Sequence, residues 1–370
     1  MAIAQQKILT ISIPTYNRGI LVKGLFENLI AEIKQYGLQD KVEIQITNNC
    51  STDNTEQVIT AYLEENPYIF YTKNETNIGL GPNVLKCMDI ANGKYCLLLG
   101  DDDRVNPGVL PKLISFLENH PDTGILVDTA LNKKYKVERT TTLDLIPFLE
   151  KYYYFMGNAG VFVVLSSFIK ENYPHRDFEG KSFSWPQTQS MIISAFKHPE
   201  SKIRLDNFNI LGESEHANIT LYNSFYIWKV AYFELMTDIG YIRQWVSEDV
   251  VKAAKKYFEN NAIQNFYNIL QCGVFVDNDE MRIKTRTHIK NNMQPFSLKE
   301  KCLLWIVVVV LWIPNSIARF FSNLFILFTK GAKGLTKKNE FVKLEEKKLA
   351  ILRNREKTII REFSFEGAAK

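Results

Sequence analysis

The sequence is short of what small secreted folds and zinc modules need. Its five cysteines (Cys50, Cys87, Cys96, Cys272 and Cys302) are odd in number and form no C-x-x-C pair, so neither a disulfide framework nor a zinc site is indicated. A reducing compartment fits that usage. Neither sign of charge is in large excess: 45 Lys and Arg against 41 Asp and Glu leave +4, too mild for a general nucleic-acid binder. No G-x-G-x-x-G follows a strand and no G-x-x-x-x-G-K-[ST] occurs, which argues against a dinucleotide-dependent dehydrogenase and a P-loop nucleotidase. The apolar stretch within Lys7–Pro14 has no n-region or cleavage site ahead of it, so no signal peptide is expected. Internal repeats and low-complexity segments are absent.

What is present is ordinary for a globular chain: 46% apolar, 12% aromatic and 23% charged residues, which excludes disordered and collagen-like classes. A length of 370 residues suggests two domains, or one large domain with appendages. Over the first 130 residues, strand and helix patterns alternate. Short apolar strands are predicted at Ile8–Ile13, Val42–Thr47, Tyr68–Thr72, Tyr95–Leu99 and Gly124–Val127. Between them, helices are predicted over Leu21–Ile33, from Asp53 (with Glu56 at capping-box spacing), over Gly81–Ala91 and over Val109–Leu117. This alternation means βαβ units, a parallel sheet and a ligand site at the carboxyl ends of the strands. Further on, a core strand at Val161–Leu165, a helix at Gln187–Phe196 and an edge strand at Ile203–Leu211 are expected, and helical patterns dominate from Tyr222 to Phe275.

The region Cys302–Phe328 differs in kind. Cys302–Ile313 is an uncharged apolar run closed by Pro314-Asn315, and a second run, Phe320–Phe328, follows Arg319. Neither reaches the roughly 20 apolar residues of a bilayer span. Lys299 and Lys301 precede the pair, and Lys330, Lys333, Lys337 and Lys338 follow it, which favours a re-entrant or interfacial helix pair on the cytoplasmic side over a buried helix of a C-terminal domain. The expected organisation is a catalytic domain over 1–221, a helical extension over 222–298, a membrane-associating segment over 299–336 and a charged tail over 337–370.

Four segments carry the chemistry. Leu97-Leu98-Leu99-Gly100-Asp101-Asp102-Asp103 sets three carboxylates at the end of a buried strand. Adjacent anions repel, so the cluster is costly unless a cation joins it. Oxygen-only ligands suit Mg²⁺ or Mn²⁺, which would hold a diphosphate; a solvated acidic turn is the plainer alternative. Pro14-Thr15-Tyr16-Asn17-Arg18 follows the first strand, where a nucleotide-binding fold places its first ligand loop. Asn48-Asn49-Cys50-Ser51-Thr52-Asp53-Asn54-Thr55 follows the second. There Asp53 caps a helix, which leaves Asn48 and Asn49 as candidates for hydrogen-bonding a base. Asn77-Ile78-Gly79-Leu80-Gly81-Pro82-Asn83 opens a helix whose amides can face an anion or a sugar, or simply enter the helix.

In this order and spacing, the four segments resemble the family 2 glycosyltransferases of the GT-A fold, with P-[TS]-[YF]-N-R after strand one, D-D/N-G/C-S-T-D after strand two, N-x-G before a helix and an acidic metal motif after strand four. The resemblance covers Lys7–Leu117, and N-C-S-T-D with G-D-D-D is similar to the abequosyltransferase-like branch that builds bacterial surface polysaccharides. It implies a nucleotide-sugar site lined by Pro14, Thr15, Tyr16, Asn17 and Arg18. It further implies that Asn48 or Asn49 reads the base beside Asn77 and Gly79, that Asp101 and Asp102 face the donor's ribose and sugar, and that Asp103, with Asp101, binds the metal.

Two departures from the family pattern matter. The base-reading position is commonly Asp; Asn can accept from uracil or thymine, or present its amide to cytosine, so UDP, dTDP and CDP donors stay open. The Glu-Asp base of inverting members is missing from the window Phe183–Gln189. The nearest acids, Asp177 and Glu179, are the candidate bases, an exposed charged loop being the alternative. Trp185 is the candidate acceptor platform, or else a core residue. His216, in a loop resembling H-x-x-S-x-[ST], is a candidate for the metal or diphosphate. The expected function is metal-dependent inverting transfer of a sugar to a glycan hydroxyl. The expected acceptor is polyprenyl-diphosphate-linked, at the cytoplasmic face of the cell membrane. A catalytically inactive glycan- or nucleotide-sugar-binding protein and a nucleotidyltransferase are the competing readings.

Overall fold

The computed structural model describes residues 6–130, 135–171, 186–212, 239, 242–271, 274–275, 279–291, 293–294, 296–323, 326, 338–339 and 343. The chain divides into two compact units. The first comprises Met1–Glu179, Phe183–Ala217 and Ile242–Ala254; the second comprises Gly180–Ser182, Asn218–Tyr241 and Lys255–Lys370.

The first unit is an eight-stranded mixed sheet in the order β3-β2-β1-β4-β7-β5-β8-β6. Its strands are β1 (Leu9–Thr15), β2 (Val42–Asn48), β3 (Ile69–Lys73), β4 (Tyr95–Leu98), β5 (Thr123–Asp128), β6 (Thr141–Leu143), β7 (Phe162–Leu165) and β8 (Lys202–Asp206). β1 pairs in parallel with β2 and β4, β2 with β3, and β5 with β8, whereas β7 runs antiparallel between β4 and β5. The helices are α1 (Gly19–Gln35), α2 (Thr55–Leu63), α3 (Leu80–Asp89), α4 (Val109–Asn119), α5 (Leu145–Tyr152), α6 (Ser166–Glu171) and α7 (Pro186–Lys197).

Period-two alternation in β1 decides which helix lies on which face. Leu9, Ile11 and Ile13 are fully buried in one core with Val22, Leu25, Phe26 and Leu29 of α1 and Leu110, Leu113 and Ile114 of α4. Thr10 and Ser12 point the other way and are buried as well, so their hydroxyls need partners. Thr10 donates to Glu43 (2.7 Å), and the Ser12 hydroxyl lies 3.2 Å from the Cys87 carbonyl of α3. Truncating Phe26, 0% exposed and edge-on to Tyr62, would open a cavity worth roughly 3–5 kcal/mol.

Three expectations are corrected. The strand expected at Ile203–Leu211 ends at Asp206 and lies inside the sheet, between β5 and β6. It stops there because Asn209 turns to φ 57° and the buried Asp128 carboxylate takes the Ile210 amide at 2.6 Å. The edge is the three-residue β6, too short to show a period, and the short helices α5 and α6 are further elements beyond those expected. The capping box at Asp53 is only half made: Asp53 Oδ1 accepts the Thr55 amide at 3.0 Å, but Glu56 does not reach back. Asn54 occupies the N-cap of α2 without a side-chain cap bond, and Glu56 pairs with Lys73 (2.6 Å) and Tyr71 (3.2 Å) instead.

Helix α8 (Glu248–Gln271) follows, and the second unit contains α9 (Asp279–Asn291), α10 (Leu298–Val310) and a helical stretch over 315–323. Ser297 and Glu300 close a reciprocal capping box on α10. No described helix is long and apolar enough to cross a membrane.

Candidate active site

Strands β1 to β4 are mutually parallel, so the loops that follow them meet at one edge of the sheet. The loop after β1 is stitched to the loop after β2. Asn17, at φ 52°, accepts the Thr52 amide at 2.7 Å through Oδ1, and its own amide donates to Ser51 at 2.9 Å. The Arg18 amide donates to Thr55 at 2.9 Å, and Asp53 accepts from Gly19 at 3.3 Å, so the second loop caps the first turn of α1. Pro14 and Tyr16 are half-buried beside them.

At the end of β4, Asp101 is buried and both its oxygens are engaged: Oδ2 accepts from Thr15 at 2.7 Å and Oδ1 pairs with Arg18 at 2.5 Å. Burial pushes the Asp101 carboxyl above its usual range; Arg18 pulls it back and Asp102 pushes it further. Asp101 is thus a joint between strands one and four, which weakens its expected part in ligating a metal.

Asp102 and Asp103 are left less enclosed. The peptide amide of Gly100 donates to Asp103 at 2.8 Å, and Asp102 Oδ1 and Asp103 Oδ2 each come within 3.0 Å of the point a Cβ on Gly100 would occupy. A Cβ there would be tight against both carboxylates, and glycine leaves them room. No ion pair among the described residues involves Asp103, and burial together with Asp102 raises its carboxyl to about 7. Asp102 Oδ1 lies 3.7 Å from the Arg18 guanidinium, and with the Asp103 oxygen beside the same glycine it gives an oxygen-only donor pair that suits a hard divalent ion. No described cluster of three or more His, Cys, Asp and Glu side chains forms a closed metal cage.

Asn48 and Asn49, the expected base readers, are buried and occupied. Asn48 donates to the Tyr71 hydroxyl (3.1 Å) and accepts from Ser51 (2.9 Å). Asn49 donates to Asn77 Oδ1 (2.7 Å) and the Gly79 carbonyl (3.2 Å), and accepts from Asn74 (2.9 Å) and the Ile78 amide (3.0 Å). Lys86, which can only donate, holds Asn74 Oδ1 at 2.7 Å and so fixes the direction of every amide in the chain Asn74–Asn49–Asn77. This network joins the loops after β2 and β3. Asn74 and Lys86 are not among the residues expected from the motifs, although Asn74 directly follows β3, where such a loop residue belongs.

These loops lie within residues 10–172, which match the family model described as Glycosyl transferase family 2. The chain carries a family 2 glycosyltransferase domain. Among curated proteins, abequosyltransferase RfbV of Salmonella typhimurium is 27% identical over 311 residues, 74% of this chain and 86% of RfbV. An uncharacterized glycosyltransferase of Methanocaldococcus jannaschii, MJ1057, is 29% identical over 119 residues, 32% of this chain and 40% of that protein. In the solved structures, residues 1–349 of S. aureus TarS in complex with UDP-GlcNAc align with a TM-score of 0.57 at 15% identity, covering 85% of this chain and 92% of that one. The mannosyltransferase PcManGT of Pyrobaculum calidifontis, in complex with GDP-Man and Mn²⁺, aligns at 0.50 and 11% identity over 94% and 86%. The fold is of the GT-A type and the protein is a glycosyltransferase.

The glycosyltransferase has one further polar feature at this sheet edge. Helix α7 runs back toward the start of β8, so its first turn lies at the carboxyl ends of the parallel strands. In that turn Gln187 and Gln189 are buried, and Gln187 Oε1 and both amide atoms of Gln189 have no hydrogen-bond partner among the described residues. Glutamine in the first turn of a helix carries no sequence signal of its own, unlike the carboxylate pair expected in this window. Asp177, Glu179, Trp185 and His216 lie outside the described residues.

Proposed function

We propose that the enzyme transfers a sugar from a nucleotide-diphosphate donor (UDP, dTDP or CDP) to a hydroxyl of a glycan acceptor, with inversion, in surface-polysaccharide assembly. The observation that carries this is the convergence of Asp102 and Asp103 over Gly100, beside the Thr15–Asp101–Arg18 joint. Asp103 and Asp102 would hold Mn²⁺ or Mg²⁺, which when bound neutralises diphosphate charge and so favours its departure. The loops of Thr15–Arg18, Asn48–Asn49 and Asn77–Gly79 border the place for the nucleoside. Asn49 can read a base only by exchanging one of its four internal bonds. Asp177 or Glu179 is the candidate base for the acceptor hydroxyl, Trp185 its platform, and His216 a candidate at the metal or diphosphate.

Support for the donor comes from the relatives: RfbV is named an abequosyltransferase, and TarS and PcManGT were crystallised with UDP-GlcNAc and with GDP-Man and Mn²⁺. The acceptor is proposed to be polyprenyl-diphosphate-linked, at the cytoplasmic face of the cell membrane, because a donor in the cytosol must meet it there. The test is donor turnover with nucleotide-sugars and a lipid-linked acceptor, followed by proton NMR of the product's anomeric centre. An inverted anomeric configuration supports the proposal; retention, or no turnover of any nucleotide-sugar, overturns it.

A further inference from the structure

The C-terminal unit exposes large apolar side chains at regular intervals. On α10 and the turn after it, Leu298, Cys302, Trp305, Val309 and Trp312 recur every three or four residues and are exposed, Trp312 to 68%. The opposite face, with Leu304, Val307, Val308 and Leu311, is buried. Beyond Pro314 the pattern resumes with Ile317, Phe320 and Phe321, of which Phe320 is 63% exposed. A helix apolar on both faces, with one face packed and the other in the open, is expected to have a second apolar or amphipathic phase against it.

Charge identifies that phase. Lys290 of α9 lies 5.9 Å from both the Trp305 and Trp312 rings, and the Arg286 guanidinium 5.4 Å from Trp312, so cations stand beside each tryptophan. Exposed Lys299 adds a further cation in the first turn of α10. Tryptophan beside lysine is the composition of the headgroup boundary, where rings sit among acyl carbons and ammonium groups meet phosphates. The helix ends also suit that depth. Ser297 and Glu300 close one end, and the other is closed by Arg282, donating to the Ile313 carbonyl at 2.7 Å, and Arg286, donating to Leu311 at 2.8 Å. At about 1.5 Å per residue, the 13 residues of α10 reach some 20 Å, so the helix has the length to lie in an interface and not to cross a bilayer.

We propose that this face docks in the plane of an anionic phospholipid surface, with Trp305, Val309, Trp312 and Phe320 in the boundary layer and Arg286, Lys290 and Lys299 against the phosphates. This gives the membrane part of the proposed function a defined surface, and lipid binding is read without turnover, so its failure is distinguishable from failure of the transferase reading. The test is flotation of the full chain with vesicles of phosphatidylcholine, alone or containing one-third phosphatidylglycerol. Binding is expected on the anionic vesicles, to weaken with salt, and to fall roughly thirtyfold in K290E. W312S/F320S should bind on the order of a hundredfold more weakly while keeping its circular dichroism. Brominated acyl chains should quench the tryptophan emission, and W305F/W312F should lose that quenching. Equal binding by W312S/F320S, or no flotation with a stable dimer whose contact W312S breaks, would overturn the proposal.

Discussion

Replacing Arg18 with Met leaves Asp101 buried with its strongest partner gone. The Asp101 side chain is 4% exposed and that of Arg18 18%, so little water is available to take over. Removing one member of a buried pair typically costs about 3–5 kcal/mol; Thr15 keeps one hydrogen bond, which places the expectation near the lower end. In a unit of this size that corresponds to a fall in Tm of roughly 6–12 °C near neutral pH. The pH dependence follows from the sign of the shift. The Asp101 carboxyl is already raised in the native state, and loss of Arg18 raises it further. The native variant therefore holds a proton that the unfolded chain releases above its own pKa of about 4. Stability of R18M must then decline, relative to wild type, as pH rises from 5 through 8, and the deficit must shrink at pH 5. The double variant R18M/D101N removes both charges and should recover most of the loss. Thermal denaturation followed by circular dichroism across that range decides it. A deficit below about 1 °C, a deficit independent of pH, or a double variant no better than R18M would refute the reasoning.

Three further outcomes are expected. Because Asp103 titrates at about 7, a divalent cation must displace its proton, so apparent Mn²⁺ affinity measured by calorimetry should fall about tenfold per pH unit below 7 and level off above it. D103N should abolish both binding and that pH dependence. Gln189→Met removes two buried amide atoms that lack partners and should raise Tm by a few degrees, since each unmet group costs about 1–3 kcal/mol; lowered acceptor turnover in the same variant would place Gln189 at the acceptor. Cys50 sits at φ 61°, where a side chain is strained, so Cys50→Gly should be neutral or stabilising by up to about 1 kcal/mol in urea unfolding, whereas Cys50→Val should destabilise.

The parallel half of the sheet was readable because β1, β2 and β4 are short apolar runs, each followed by a loop of unusual composition, and α1 and α4 show their buried stripes plainly. The antiparallel insertion was less readable. β6 is three residues long, and the strand end at Asp206 is set by a carboxylate, Asp128, far away in sequence. In the site, the motifs placed Thr15, Arg18, Asn49 and Asp101–Asp103 on one edge, but residue types could not say which polar group faces inward. Asp101 is consumed by Arg18 and Thr15, and Asn49 by four neighbours, because the same atoms that suit a ligand also suit the protein's own loops. Lys86 and Gln189 gave no sequence signal, since their roles depend on which amides surround them or fail to.

We propose that Asp103 holds a divalent cation beneath a nucleoside diphosphate. The most direct measurement is the thermal stability of wild type and D103A titrated with UDP, dTDP, CDP and GDP, each with Mn²⁺. UDP, dTDP or CDP should stabilise wild type selectively, and D103A should lose this response. Stabilisation by none of the four, or an equal response in D103A, would contradict it.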